Sequence, residues 1–145
     1  MAEKLRIVFD PEPSIAARET VERGVNLHNV AVTSLSDYYP LAFLLKDGAG
    51  EVLGGLLGDI WGGWLHVSFL WVARPLRHDG WARRLVREAE TYAIARGAHD
   101  AHLETFSFQA RPLYEKLGYE VFAQLDDFPP GHTKYFLRKK LARRG

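Results

Sequence analysis

The stretch 64-WLHVSFLWVARPLRHDGWARRLVREAE-90 changes character twice. Residues 64–72 are apolar at nearly every position, as a central strand covered on both faces would be. Residues 73–79 form a basic, proline-bearing turn. From residue 80 to 96 the period becomes helical. Ala82, Leu85, Val86, Ala89 and Ala93 share one side, while Arg83, Arg84, Arg87, Glu88 and Glu90 take the other. Gly97 closes that helix. A helix start exposes unpaired N–H groups and carries about half a positive charge. Gly80 leaves the backbone there open to close approach, and Arg77, Arg83 and Arg84 crowd the same place. The combination reads as a cradle for a pyrophosphate. A basic, solvated helix start after a plain turn is the competing reading, and the loop alone does not separate the two.

Toward the N-terminus, 51-EVLGGLLGDI-60 reads as a glycine-softened strand, joined to residues 64–72 through the hairpin signal Gly62-Gly63. Before it, 39-YPLAFLLKD-47 is a strand and 48-GAG-50 a turn. From Ile15 to about Leu35 the pattern is helical, with Gly24 and the β-branched run near Val30 suggesting two short helices. The first strand is 4-KLRIVF-9, closed by 10-DPEPS-14. Toward the C-terminus, 100-DAHLETF-106 is a strand. Next comes a short helix, 109-QARPLYEKL-117, with Pro112 in its first turn and Gly118 as its stop. The last strands are 119-YEVFAQL-125 and 132-HTKYFLRKKL-141, around the loop 126-DDFPPG-131. This order predicts one α/β domain over residues 1–145, with a mixed, mostly antiparallel central sheet flanked by helices.

A chain of 145 residues suits one core, and its composition is that of an ordinary globular protein. It has no cysteine, which excludes disulfides, thiolate metal sites and a cysteine nucleophile. No apolar run has membrane-spanning length, and the start, MAEKLRIVFDPEPS, lacks the apolar region of a signal peptide. No membrane is expected as a partner, and a cytoplasmic location fits. The formal net charge of +1 is too small to argue for nucleic acid.

The spacing Arg77-x-x-Gly80-x-Ala82, entered from an apolar strand and opening a helix, resembles the acyl-CoA loop of the GCN5-related N-acetyltransferases. The stretch 113-LYEKLGY-119 resembles the late helix of the same family, and the element order follows its fold over nearly the whole chain. The resemblance implies an acyl-CoA N-acyltransferase fold and acetyl-CoA as co-substrate. It implies that Arg77, His78, Asp79, Gly80, Trp81, Ala82 and Arg83 hold the CoA pyrophosphate. It also implies that backbone groups of Leu70, Trp71 and Val72, on a bulged strand, grip the pantetheine amides and polarise the thioester. Where many members carry an asparagine facing the pantetheine, this chain has Ser107, with Gln109 close by. Asp79 departs from the pattern too, placing a carboxylate beside the cradle unless it caps the helix or points away.

The same resemblance makes Tyr114 the general acid for the leaving thiolate. A packing tyrosine is the plainer alternative. For the base, His66 lies where some relatives carry a glutamate, and histidine titrates near neutrality. On its strand His66 shares a face with Trp64 and Ser68. Glu104, near the end of the next strand, is the rival, and a water chain from either is a third route. His99, Asp100, His102 and Glu104 look like a metal cluster, but strand alternation forbids all four from converging, so no metal is assigned. The six basic residues between Lys134 and Arg144 read as a solvated strand edge, with RNA, acidic partners or the CoA 3′-phosphate as alternatives. Trp61, Trp64, Trp71 and Trp81 read mostly as core, though Trp61 and Trp64 suit an acceptor pocket or a homodimer face. The function expected is direct acetyl transfer in a ternary complex to a primary amine, small molecule or peptide. A non-catalytic acyl-CoA-binding module and a transferase for protein or aminoacyl-tRNA amines are the alternatives.

Overall fold

Ser14 starts the first helix by accepting a hydrogen bond from the Ala17 N–H at 3.1 Å. In this computed structural model, residues 3–141 are described, and they form two compact units that divide after Ser36. The first unit holds α1 (Ile15–Thr33). It is one helix of 19 residues, not two. Ser34 closes it in the left-handed conformation, with its N–H on the Val30 carbonyl at 2.8 Å. A mid-helix glycine costs only about 1 kcal/mol relative to alanine, which does not break a helix capped at both ends. The strand expected at residues 4–9 does not form. Leu5, Ile7 and Phe9 are 93%, 104% and 88% exposed, and the sheet takes none of its strands from this segment. Alternation shows that a segment suits a strand, but a strand also needs a neighbour to bond to.

The second unit holds β1 (Tyr38–Lys46), β2 (Val52–Trp61), β3 (Trp64–Val72), a 3₁₀ turn (Arg74–Leu76), α2 (Trp81–Ala95), β4 (Asp100–Phe106), α3 (Arg111–Lys116), β5 (Glu120–Asp126) and β6 (Thr133–Lys140). The strands form one open sheet in the order β1-β2-β3-β4-β6-β5. Only β3 and β4 run parallel, because α2 crosses between them; the other pairs are antiparallel. One face of the sheet carries the core. Leu56, Ile60, Leu65, Val67, Leu103 and Leu137 pack there against Leu85, Val86, Ala89 and Ala93 of α2 and Tyr114 and Leu117 of the α3 segment. At about 1.5–3 kcal/mol per fully buried aliphatic side chain, this face is the main source of the unit's stability.

Four expectations are corrected here. β3 is buried on one face only, since Phe69 and Trp71 are 70% and 53% exposed. Of the tryptophans, only Trp81 packs against the core, half-buried; Trp61 and Trp71 are exposed and Trp64 is half-buried outside the core cluster. β6 is not an edge strand, because it lies between β4 and β5. Two of its cations meet carboxylates: Lys139 bonds both oxygens of Glu90 at 3.0 Å, and Arg138 faces Glu120 at 3.8 Å. Arg143 and Arg144 lie outside the described residues. Lastly, Glu90 is not on the solvent side of α2. It is buried, accepting the Tyr119 hydroxyl at 2.8 Å as well as Lys139, a pairing that makes burial of the carboxylate tolerable.

Candidate active site

β3 and β4 pair only from Trp64–Val67 against Asp100–Leu103. Beyond that point, Phe69–Val72 pairs with β2 alone, and Glu104–Phe106 pairs with β6 alone. The two strands part, and a wedge opens between them. Its cause is a bulge. Leu57 pairs with Phe69 but Gly58 pairs with Val67, so Ser68 is an extra residue on β3. A bulge bends its strand, raises the twist and shifts the alternation by one. Leu65 and Val67 point to the core before it, and Leu70 and Val72 after it. Gly58 accommodates the bend, since a Cβ there would collide with the His66 carbonyl. The shift leaves Ser68 exposed and without a register partner on β2.

The chain leaves the open end of β3 through the 3₁₀ turn and reaches α2 at Gly80. Gly80 has φ +84°, and a Cβ there would meet nothing within 4 Å. No side chain caps this helix start. Asp79 therefore does not take the N–H groups, which remain free to bind an anion. Arg77 folds back, donating from Nε to the Val72 carbonyl at 3.0 Å, and so ties the loop to the end of β3. Arg84 stacks on the Trp81 ring at 4.4 Å. His78, Asp79 and Arg83 are exposed around the loop, and Ala82 is half-buried beneath it.

At the neck of the wedge, on the face opposite the core, His66 and Glu104 meet. Nε2 of His66 and Oε2 of Glu104 are 2.8 Å apart. The two residues that stood as rival bases are thus one hydrogen-bonded pair. His102 stacks on His66, with ring centroids at 4.4 Å and planes 12° apart, and Trp64 meets His102 edge-on at 5.6 Å. Burial lowers the His102 pKa below the ordinary histidine value, and the neighbouring His66 adds to that; Glu104 and Asp59 pull the other way. Asp59 lies opposite His66 in register, and the Tyr38 pKa is raised by burial first and then by the neighbouring Asp59 carboxylate. From sequence, Asp59 is one of several acidic residues able to meet a cationic amine, His102 belongs only to the metal-like cluster, and Tyr38 carries no signal. The signal available was the His102-x-Glu104 alternation, which puts both on one face of β4.

Tyr114 lies across the sheet from this pair, packed in the core on the α2 face. Its ring meets Tyr119 edge-on at 6.0 Å, and its hydroxyl makes no hydrogen bond to another described residue. Burial pushes its pKa up to about 12. Ser107 and Gln109 are turned to local duties. The Ser107 hydroxyl accepts from the Thr133 N–H at 3.0 Å, and the Gln109 carbonyl oxygen accepts from the Phe106 N–H at 3.0 Å. His99 bonds Asp100, sits against the Gly62-Gly63 turn and meets the Trp64 ring edge-on at 6.2 Å, and it is not among the three residues whose donor atoms converge.

The arrangement has three parts: an open anion cradle, a wedge of unpaired strand edge above it, and an acid–base pair at the neck. Sequence comparison agrees with it. The profile of the acetyltransferase (GNAT) family matches residues 8–119. Blasticidin-S acetyltransferase of Streptomyces morookaense is 41% identical over 93 residues, which cover 63% of this chain and 68% of that protein. An acetyltransferase of Agrobacterium fabrum is 29% identical over 136 residues, covering 94% of this chain and 99% of the other. The crystal structure of an acetyltransferase from Bacillus cereus superposes with a TM-score of 0.80 at 29% identity, covering 92% and 98% of the two chains.

Proposed function

Because the chain belongs to the acetyltransferase (GNAT) family, whose co-substrate is acetyl-CoA, we propose that it moves the acetyl group directly to a primary amine of a small cationic acceptor, through residues of the wedge described above. The observation that carries the reading is the meeting of His66 and Glu104 at the neck of an unpaired wedge whose other end opens on the Gly80 cradle. The first-turn N–H groups of α2, with Arg83 beside them, hold the pyrophosphate. The free edge of Leu70–Val72 takes the pantetheine amides and leads the thioester toward the neck.

An acceptor amine is protonated near neutrality and must lose a proton to become a nucleophile. His66 takes that proton, and Glu104 holds the imidazole and stabilises the imidazolium that forms. The amine nitrogen then attacks the thioester carbon. The C–N bond forms, the C–S bond breaks, and CoA leaves as the thiolate; the second proton, shed by the nitrogen as it becomes an amide, passes to water and neutralises the sulfur once CoA is released. Tyr114 donates a hydrogen bond to the sulfur. With its pKa at about 12 it remains a phenol throughout. A thiol near ~8.5 is the stronger acid, so Tyr114 stabilises the thiolate without giving up its proton outright. No cysteine is present to carry the acetyl group covalently, which favours a ternary complex.

A small acceptor is supported by the antibiotic named for the Streptomyces relative and by Asp59 beside the pair, an anion suited to hold an ammonium. The same proposal makes residues 1–145 one cytoplasmic enzyme domain that pairs as a homodimer, with exposed Phe69 and Trp71 available for the contact. No described helix is long and apolar enough to cross a membrane. The test is acetyl-CoA turnover against a panel of small amines that includes blasticidin S, peptide N-termini and lysine peptides, with the product identified by mass. An added acetyl group on a small amine supports the proposal. Acetylation confined to peptides overturns the acceptor class, and tight acetyl-CoA binding without any product supports the non-catalytic module instead.

A further inference from the structure

The assignment of no metal rested on four residues of one strand, but the parallel register brings a different set together. His66 and His102 are direct partners across β3 and β4, and Glu104 lies two residues along β4 on the same face. One ligand atom from each of the three lies within 4.8 Å of the others. The closest pair, His66 Nε2 and Glu104 Oε2, is at 2.8 Å.

We infer that His66, His102 and Glu104 form a site for one divalent transition ion of the zinc class. Zinc bonds imidazole nitrogen and carboxylate oxygen at about 2.0–2.2 Å, which spaces tetrahedral donors roughly 3.3 Å apart. One pair is already closer than that, and for its nitrogen to aim at the same point the His102 ring must turn out of its stack on His66. The donor chemistry selects the ion. Two imidazoles and a single carboxylate suit zinc, copper, nickel or cobalt, whereas calcium and magnesium want a shell of oxygens. The three side chains are half-buried, so the ion loses only part of its hydration and keeps a water in the open position. Asp59, opposite His66 in register, adds negative charge outside the ligand set. The ion takes the place of the proton shared by His66 and Glu104. Occupancy and amine deprotonation then exclude one another, a consequence that rests on the role proposed for the pair above.

Zinc chloride titrated calorimetrically into the tag-free, chelator-washed chain tests the site, with wild type, His102→Gln and Glu104→Gln compared. One ion per chain is expected, weakened at least tenfold in each variant. Cobalt should give the visible absorption of a four-coordinate ion in the wild type alone. Acetyl-CoA binding by His102→Gln shows that the variant is folded. Absence of saturable zinc binding in the wild type, or equal affinity in all three chains, overturns the inference. The titration contains neither acetyl-CoA nor amine, so its failure leaves the acetyltransferase reading standing.

Discussion

Between Trp64 and Val67, β3 is paired on both sides; between Phe69 and Val72 it is paired to β2 alone. The paired half resembles any core strand, with Leu65 and Val67 fully or nearly buried. The unpaired half has the same apolar composition, yet it exposes Phe69 and Trp71 and leaves backbone groups without a β4 partner. In a sheet interior such groups would each cost about 1–3 kcal/mol if left buried and unbonded. They are tolerated here because the wedge is open. The comparison teaches that composition sets how much apolar surface a strand has, while its neighbour sets whether the strand is structural or available to a ligand.

The largest effect should come from closing the open half. Gly80→Glu places a side chain at φ +84°, in the space left for an anion, and adds a negative charge there. Calorimetry should show acetyl-CoA binding weakened by more than about a hundredfold, with the melting temperature still cooperative. Binding retained by this variant would remove the cradle from the mechanism. Next is the neck between the two halves. His66→Gln and Glu104→Gln should each lower kcat by about a hundredfold, the range of a lost general base. The double variant should cost little more than either single one, because the two act as a unit. Additive losses would mean that they act separately.

Leu103→Ala strikes the paired half. Leu103 is 1% exposed, and its truncation should cost about 2–5 kcal/mol in denaturant unfolding. A loss below 1 kcal/mol would show that this half is not tightly packed. Tyr114→Phe should lower kcat by about tenfold, consistent with a hydrogen bond to sulfur and not an obligatory proton donor. It also has a pH signature. The folded pKa of about 12 lies above the unfolded value of 10, so the stabilisation is fully present below pH 10 and is lost as pH rises through 12. Between about pH 10 and pH 11 the wild type should therefore lose about 1 kcal/mol more than Tyr114→Phe, read by denaturant melts. Equal losses would place the phenol in water. Smallest of all, Phe69→Ala in the exposed half should change stability by no more than about 0.5 kcal/mol. A larger loss would mean that the unpaired half is covered after all.

The cradle could be read from sequence because it is local. The switch of period at Gly80, the arginines and the helix cap all lie within a few residues of one another, and α2 begins and ends where its glycines said. The motif around Tyr114 is local too, and α3 forms over it. The N-terminal strand was misread because Lys4–Phe9 has the right alternation but finds no partner in the sheet. Glu90 was placed on the wrong side because its partners, Tyr119 and Lys139, lie on distant elements. The tail was misread as an edge because strand order, unlike strand identity, is not written in any one segment.

By itself, then, the sequence determined the elements from β1 onward and the glycine turn before α2. Each depends on the period of apolar residues or on backbone freedom within a turn, which neighbouring residues decide. The tertiary structure alone decided that Ser68 is a bulge, that β3 and β4 part after Val67 and Leu103, and that His66 meets Glu104 and His102. The bulge depends on the antiparallel β2–β3 pairing, and the other two on the register of two parallel strands joined by a helix. Register is set by packing and hydrogen bonding across 38 residues of chain, not by anything adjacent to either side chain.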